Sequence, residues 1–325
     1  MKPPSHAEFG VGWICALPLE MAAARAMLDV IYDDLPVQPN DHNAYTLGKI
    51  GEHNVVIACL PSGQYGTVSA STVTEQLLSS FQSVKIGLLV GIGGGIPSKN
   101  MDVRLGDVVV GVPSSSTTHG GVIQHDLGKA TSDGIFFRTG MLNRPPQILL
   151  TAVSKIRAIH QMEGTRIRTT VDEIAKRYSP LRESLTKHTR EDLLFDSDYH
   201  HDEAHSTCSG CDTARIIHRP YRDSEEPVIH YGLIASGNTV VKDSHLRDRL
   251  GQEIGACCVE MEAAGLVNNF PCLVIRGICD YADSHKNKAW QEYAATVAAT
   301  YAKGVLCVTS SVSAARAFVM DSWSD

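Results

Sequence analysis

Charged side chains interrupt three otherwise apolar segments of this sequence, and together they could carry out acid–base chemistry. Glu20 follows the run GVGWICALP, Glu260 and Glu262 stand within ACCVEMEAAGLV, and Arg276 and Asp280 belong to LVIRGICDYAD. Ionised groups are costly to bury unless they meet opposite charges or hydrogen-bond donors. Each segment alone is also compatible with a helix-terminal charge, a surface carboxylate or a structural ion pair. Taken together, the segments predict that these side chains converge on one site.

A glycine-rich segment, LLVGIGGGIP, adds a place where a ligand could approach the backbone closely. Gly91, Gly93 and Gly94 come directly after a strongly apolar run. Glycines in such a place permit close approach, although they also form ordinary tight turns. The segment lacks the lysine of a phosphate-binding P-loop and the spacing of a dinucleotide fingerprint.

Alternating elements must position these residues. Short apolar, β-branched runs alternate with helix-like stretches from residue 9 to about residue 150, and the rhythm resumes after residue 228. This pattern predicts an α/β fold with three layers, α/β/α, around a central twisted mixed sheet that is mostly parallel. Helices are expected near residues 20–28, 67–80 and 288–310. In such folds ligands gather at the carboxyl ends of the strands, where the charged residues lie.

The stretch from about residue 162 to 226 is polar, charged and rich in His, Arg, Asp and Ser. We interpret it as an insertion, with one helix near residues 171–185, in a single domain that covers residues 1–312. A linker between two domains is the alternative, but neither flank alone supplies both the strands and the covering helices of an α/β core. Residues 313–325 are predicted to be a tail.

Composition narrows the class of partner. The chain has 325 residues, of which 43% are hydrophobic, and a formal net charge of −7. That balance argues against nucleic acid and for a small-molecule ligand. The start lacks a signal peptide, and no apolar run approaches the roughly 18 to 20 residues of a membrane span. We therefore expect a cytoplasmic protein without membrane partners.

Most of the nine cysteines lie in or beside apolar runs, as reduced thiols do. Cys208 and Cys211 differ, because they form a C-x2-C pair in a polar stretch that follows His200, His201 and His205. Structural zinc, a zinc-dependent hydrolase centre and an ordinary polar loop are the three interpretations. A second ligand pair at the usual distance is missing, so the prediction is no metal and no cofactor.

The combination of VEMEAA with VIRGICDYAD some twenty residues later resembles the nucleoside phosphorylase-like superfamily, which includes purine nucleoside and uridine phosphorylases. Within it the chain is most similar to the methylthioadenosine and adenosylhomocysteine nucleosidases and their enlarged fungal relatives. The resemblance covers about residues 1–150 and 228–310. The leading strand with Glu20 and the GIGGG turn follow in family order.

This resemblance implies a role for each residue. Asp280 would donate a proton to purine N7, and Glu20 would activate water. Glu262 would hold ribose hydroxyls with Met261 packed under the sugar, and Arg276 would contact the ribose and the nucleophile. The base edge would be formed within SGNTVVKD, although the family's usual aromatic residue is absent there. The implied substrate-binding residues are Gly93, Gly94, Asn238, Val240, Val241, Glu260, Met261, Glu262 and Arg276.

Hydrolysis is favoured over phosphorolysis. Hexameric phosphorylases of the superfamily use an arginine and a serine where this chain has Leu89 and Ile92, so the charge-assisted bonds to phosphate are missing. The predicted function is hydrolysis of a purine nucleoside or nucleotide to free base and sugar. The alternatives are a phosphate-dependent phosphorylase, an ATP-consuming nucleosidase effector domain and a non-catalytic purine-sensing module.

Two further expectations concern partners. The family usually forms dimers or larger assemblies, so we expect a homodimer or larger homo-oligomer with residues 136–146 at the contact. The basic residues of the insertion and of the segment after SGN could grip a 5′-phosphate or could be solvated surface charge. They are Arg215, Arg219, Arg222, Lys242 and Arg247.

Overall fold

A large mixed sheet forms the centre of the molecule. The computed structural model describes residues 1–36, 38–114, 118–132, 136–186, 191–202, 204–205 and 207–310. The sheet contains ten strands: β1 (Val11–Cys15), β2 (Val30–Ile31), β3 (Tyr45–Ile50), β4 (His53–Cys59), β5 (Ile86–Gly95), β6 (Val108–Gly111), β7 (Val122–Gln124), β10 (Ile229–Ser236), β11 (Ala256–Glu260) and β12 (Cys272–Asp280). A separate hairpin is formed by β8 (Gly128–Ala130) and β9 (Phe136–Arg138). The predicted tail, residues 313–325, lies outside the described residues.

The strand order is β11-β10-β6-β12-β5-β1-β4-β3-β2, with β7 paired to β10. The central strands β4, β1, β5 and β12 run parallel, whereas β12 pairs antiparallel with β6 and β3 pairs antiparallel with β4. Strands from before and after the insertion therefore alternate in one sheet, and the predicted mixed sheet is confirmed.

Helices cover both faces of the sheet. They are α1 (Pro18–Ala26), α2 (Thr67–Ser80), α3 (Gln147–Glu163), α4 (Ile167–Arg177), α5 (Arg182–Thr186), α6 (Ser244–Ile254), α7 (Ala263–Leu266) and α8 (Gln291–Val308). One core cluster joins the sheet to α1, α3, α4 and α8, and a second joins it to α2 and α7. The three-layer prediction is thus confirmed. None of the described helices combines the length and the apolar character that crossing a bilayer requires.

Helix α8 packs unusually close to β12. A methyl group at Gly277 would collide with the carbonyl oxygen of Ala294, so backbone meets backbone at that point. Alanine-rich sequence allows this approach and favours the helix at the same time. The close packing fixes β12, and with it both Arg276 and Asp280, against the rest of the core.

The strand β5 is long enough to bend towards a second partner. Its last residues pair antiparallel with β11, at Gly94 opposite Val259 and Gly95 opposite Cys258. Because β11 also pairs with β10, the strands β5, β12, β6, β10 and β11 form a closed ring of pairings. This closure brings the end of β11, which carries Glu260, over the glycine-rich end of β5.

The insertion contains more helix than its sequence predicted. A single helix near residues 171–185 was expected, but α4 ends at Arg177 and α5 begins only at Arg182. The break contains Pro180, which has no N–H to donate and cannot lie within a regular helix. Ile167, Val171 and Ile174 of α4 enter the same core as the sheet, so the start of the insertion is part of that core.

Candidate active site

Glu20 is buried at the junction of β1, α1 and β5. Its Oε2 accepts hydrogen bonds from the backbone N–H groups of Ala16 at 2.7 Å and Leu17 at 3.0 Å, and its Oε1 accepts one from Ile92 at 2.8 Å. The bond to Leu17 is the helix-capping role that the sequence allowed, but the bond to Ile92 lies outside the helix. Burial raises the pKa of Glu20, against the opposing effects of Arg276 and these N–H donors. The side chain is therefore both fixed and able to exchange a proton.

A buried arginine links the carboxylates of two further strands. Arg276 of β12 is fully buried, and its Nη2 contacts Glu260 Oε2 and lies 3.4 Å from Glu262 Oε2. Glu260 in turn accepts hydrogen bonds from the backbone N–H groups of Glu262 and Ala263. Burial raises the pKa of Glu262 to about 7, with Arg276 opposing and Glu260 and Glu20 adding to the rise. Glu260 thus anchors the turn, while Glu262 is the carboxylate that titrates near neutrality.

The end of β5 is rich in glycine between these groups and Asp280, with Ile92 the one larger residue between Gly91 and Gly94. A methyl group at Gly91 would lie 2.5 Å from Arg276 Nη1 and closer still to Glu20 Oε1. A methyl group at Gly94 would lie 2.9 Å from Asp280 Oδ1. Three residues of strand separate the two points, on the order of 10 Å at about 3.3 Å per residue. The missing side chains let the charged groups approach this strand closely.

Asp280 ends β12 and is engaged on both oxygens. Its Oδ1 accepts a hydrogen bond from the Ala282 N–H at 2.9 Å, and its Oδ2 lies 3.1 Å from Cys279 Sγ and 2.9 Å from Lys286 Nζ. Sequence reasoning missed Lys286, although it follows in the same segment, DYADSHK. The lysine thus forms an ion pair with the carboxylate that ends β12.

The three residues expected at the base edge differ in their exposure and in their contacts. Asn238 receives hydrogen bonds at its Oδ1 from the Thr67 N–H and hydroxyl, both at 2.9 Å, so it caps the start of α2. Val240 is exposed, whereas Val241 is buried in a cluster with Val259. Asn238 and Val240 are thus both exposed to solvent, whereas Val241 is not.

Gly93 approaches β11 closely, and Met261 directly follows that strand. A methyl group at Gly93 would lie 3.0 Å from the Val259 carbonyl oxygen and 3.4 Å from Arg276 Cβ, so this glycine lets β5, β11 and β12 meet. Met261 is half-buried directly between Glu260 and Glu262. Both residues therefore border the charged group, and their roles in binding a substrate stay predictions.

A cavity of about 500 Å³ opens beside Asp280. Its lining includes Phe195 and Cys208 from the insertion, and His285 and Trp290 from the segment after β12. Glu20 and Glu262 are not part of that lining, so the cavity reaches only the Asp280 end of the glycine stretch. The insertion residues could not be assigned to this place from sequence, because no pattern in the insertion indicates which strand end it covers.

The arginines considered for a 5′-phosphate already have partners. Arg222 donates hydrogen bonds to both oxygens of the buried Asp107, at 2.7 and 2.9 Å, and Arg219 donates one to Asp192 at 2.7 Å. Arg247 pairs with the buried Asp283 at 3.3 Å. The pair of Arg222 with Asp107 joins the insertion to the start of β6, that of Arg219 lies within the insertion, and that of Arg247 joins α6 to the segment after β12.

The chain matches one family model over most of its length. The family model described as "Phosphorylase superfamily" matches residues 11–164 and 179–310. These segments include every strand of the ten-stranded sheet. The chain therefore belongs to the phosphorylase superfamily, and the resemblance seen in its motifs is confirmed.

Three curated relatives extend the comparison. A nucleotide-binding leucine-rich repeat (NLR)-like protein of Hyaloscypha variabilis is 50% identical over 313 residues, which cover 95% of this chain and 30% of that protein. The 5′-methylthioadenosine/S-adenosylhomocysteine nucleosidase of Mycobacterium tuberculosis is 25% identical over 307 residues, or 91% and 95% of the two chains. The ATP nucleosidase Cap17 of Escherichia coli is 26% identical over 296 residues, or 88% and 48%. This chain thus spans less than a third of the NLR-like protein.

A solved structure shows the same fold. The 5′-methylthioadenosine/S-adenosylhomocysteine nucleosidase of Helicobacter pylori, complexed with a 4-amino-pyrrolo[3,2-d]pyrimidine ligand, superposes with a TM-score of 0.59 at 17% identity. The match covers 93% of this chain and 99% of that chain. The named enzymes among the relatives are therefore nucleosidases, and the structural neighbour binds a nucleoside-like small molecule.

Proposed function

We propose that this chain hydrolyses the N-glycosidic bond of a purine nucleoside or nucleotide to the free base and the sugar. One observation carries the proposal: a buried acid–base group and a separate buried aspartate stand at the two ends of a glycine-rich stretch of β5. Gly91 adjoins the pair Glu20 and Arg276, and Gly94 adjoins Asp280. A single nucleoside can bridge them with its sugar at one end and its base at the other.

At the sugar end, Glu20 would take a proton from the attacking water. Three backbone N–H groups fix its carboxylate, and its raised pKa suits a general base near neutral pH. Glu262, ionised, would accept hydrogen bonds from ribose hydroxyls. These carboxylates, partly balanced by Arg276, stabilise the positive charge that develops on the sugar as the bond breaks, as carboxylates do in glycoside hydrolysis.

At the base end, Asp280 would give a proton to N7, so that the purine leaves without a full negative charge. Lys286 Nζ lies 2.9 Å from Asp280 Oδ2, so this lysine has to move away before that oxygen can face N7. Lys286 is partly exposed, with 29% of its side chain accessible, and it has room to do so. The cavity beside Asp280 is large enough to take a purine base.

Hydrolysis suits this site better than phosphorolysis. The backbone N–H of Ile92, where an anion would need a donor, is already bound to Glu20. A phosphate there would meet a second negative charge with no arginine in the place of Leu89. Water needs no such cation.

A nucleotide substrate is the second candidate, and the relatives favour it. An ATP nucleosidase and an NLR-like protein both contain segments similar to this chain. In that case the chain would be the effector domain of a longer protein that consumes a purine nucleotide. A triphosphate would have to find cations other than Arg219 and Arg222, because these are paired with aspartates. Lys242, which is exposed next to Val241, is available.

A homodimer or larger assembly remains part of the proposal. The hairpin and the segment after it expose apolar side chains, with Phe137 55% and Met141 84% accessible. These residues fall within the region expected at the contact. A monomer that is fully active in dilute solution would contradict this part.

The test is a substrate panel with a matched inactive variant. The purified chain is incubated with adenosine, methylthioadenosine, inosine, guanosine and ATP, and base release is followed by chromatography. We expect release from at least one substrate without added phosphate, and none above background with Asp280→Asn. Tight binding by calorimetry without base release would contradict the enzyme proposal and favour a purine-sensing module.

A further inference from the structure

Two cysteines and a histidine of the insertion meet at one point beside the segment that follows β12. Nδ1 of His201 lies 3.3 Å from Sγ of Cys211. The ligand-capable atoms of His201, Cys208 and Cys211 all lie within 4.8 Å of one another. Around one tetrahedral Zn²⁺, with bonds of about 2.3 Å to sulfur and about 2.0 Å to nitrogen, such atoms are roughly 3.5 to 4 Å apart. The three side chains already stand close to that spacing.

The second nitrogen of His201 sets the direction of its lone pair. Nε2 lies 2.8 Å from the carbonyl oxygen of His205. A carbonyl can only accept, so Nε2 carries the ring proton, and Nδ1 presents its lone pair to the thiols. Zinc-binding histidines characteristically donate their other N–H to a carbonyl or carboxylate in this way. The ring is therefore oriented as a metal ligand without any metal being needed to explain its tautomer.

The backbone brings the two thiols to the same side. A short 3-10 turn covers Cys208–Gly210, and the Cys211 N–H donates to the Cys208 carbonyl oxygen at 3.1 Å. Both cysteines are half-buried. A C-x2-C pair in a tight turn supplies two thiolates to one ion, as in many structural zinc sites.

His285, a buried histidine of the segment after β12, has no hydrogen bond on its ring among the described residues. His285 is 7% exposed, and neither Nδ1 nor Nε2 is hydrogen-bonded within the part of the chain that is described. Its ring centroid lies 5.6 Å from that of His201, and its carbonyl oxygen lies 3.7 Å from Cys208 Sγ. Nδ1 lies 3.9 Å from Asp283 Oδ1, which is too far for a hydrogen bond. Buried ring nitrogens without a hydrogen bond are costly unless something binds them. A metal ion between the segments would satisfy one of them.

We propose that His201, Cys208 and Cys211 bind a structural Zn²⁺, and that His285 completes the tetrahedron by a movement of its ring towards the thiols. The ion would fasten the insertion to the segment that carries Lys286 and closes the cavity beside Asp280. The hydrogen bond from the backbone N–H of His201 to Ser284 Oγ, 2.9 Å long, already joins the two segments at this place. The role is structural because the cluster uses none of the groups assigned to bond cleavage.

Metal content of the untagged chain tests this proposal without any activity measurement. After expression in zinc-supplemented medium, we expect about one zinc per chain, and roughly a tenth of that or less in Cys211→Ser and in His285→Gln. Cys307→Ser is the matched control, because Cys307 is exposed on α8, and it should keep its zinc. Cobalt added to the metal-free chain should give sulfur-to-cobalt charge-transfer absorption in the wild type and the control, but not in Cys211→Ser.

Three results would overturn the proposal. One is a wild-type chain that contains almost no zinc and gives no charge-transfer band with cobalt. Another is a disulfide between Cys208 and Cys211 in the protein as isolated. The third is a purine-releasing activity that follows zinc content while the melting temperature does not, since that would make the metal catalytic rather than structural.

Discussion

Replacing Asp280 with asparagine removes the proposed proton donor while keeping its shape. The amide oxygen can still accept the hydrogen bond from the Ala282 N–H, so the turn after β12 should persist. What is lost is the charge that faces Lys286 and the proton that N7 would receive. The Lys286 contact is partly exposed, so its loss should cost only about 1 kcal/mol of unfolding free energy.

The catalytic loss should be much larger than this. Loss of a general acid typically lowers turnover about 10^2- to 10^4-fold, which is roughly 3 to 5 kcal/mol of transition-state stabilisation. KM should change far less, because the amide still fits beside the base. The assay measures kcat and KM for base release on the best substrate, together with thermal unfolding of each variant.

Asp41→Asn is the matched control for this experiment. Asp41 is also a buried aspartate, hydrogen-bonded to Tyr45 and Ser80, but it lies outside the candidate site. It should lose stability and keep its turnover. If Asp280→Asn instead retained more than about a third of wild-type turnover on every substrate that the wild type cleaves, Asp280 would not be the acid.

Four further predictions concern Glu262, Gly91 and Arg276. Because the pKa of Glu262 is raised to about 7 and its ionised form is the proposed ligand of ribose, kcat/KM should rise with pH through about 7, and Glu262→Gln should abolish that limb. In the folded protein the pKa of Glu262 also exceeds its ordinary value of 4.5. The stabilisation that comes from this shift is therefore complete below pH 4.5 and is lost as the pH rises through about 7, which urea unfolding at each pH can measure. Gly91→Ala should abolish base release, because its methyl group would displace Glu20 and Arg276, whereas Gly10→Ala, with no atom within 4 Å of its added carbon, should not; equal activity of the two would refute the proposed geometry. Arg276→Met should lower the unfolding free energy by about 3 to 5 kcal/mol, because it leaves several buried carboxylates without a cation, and a loss below about 1 kcal/mol would contradict the role of that ion group.

Glu20, Arg276 and Glu262, which the sequence singled out, lie close together in the structure. Each is a charged residue in or beside an apolar segment, where burial requires a partner. Because β11 runs antiparallel to β5, closure of the sheet rather than a shared strand edge brings Glu262 to Arg276. The alternation of apolar runs likewise predicted the layers, and helix α2 has the expected bounds, Thr67–Ser80. These features depend on local pattern and strand direction, which a single sequence records.

Other features depend on contacts that a single sequence does not record. Lys286 contacts Asp280 because of the path that the chain takes after β12. That the buried ring of His285 makes no hydrogen bond with the described residues can likewise be seen only in three dimensions. The place of the insertion over the cavity is fixed by ion pairs such as that of Arg222 with Asp107, whose partners are far apart in sequence. The assignments of Asn238, Val240 and Val241 to a base edge stay predictions, because they came from family order rather than from pattern.

The central claim is that water, and not phosphate, is the nucleophile that attacks the sugar when its bond to the purine breaks. Its most direct test is to run the reaction in ¹⁸O-labelled water that also contains phosphate, and to identify the sugar product by mass spectrometry. The account predicts free ribose, or the corresponding 5′-substituted sugar, with a single ¹⁸O at the anomeric carbon. A sugar 1-phosphate without the label would contradict it.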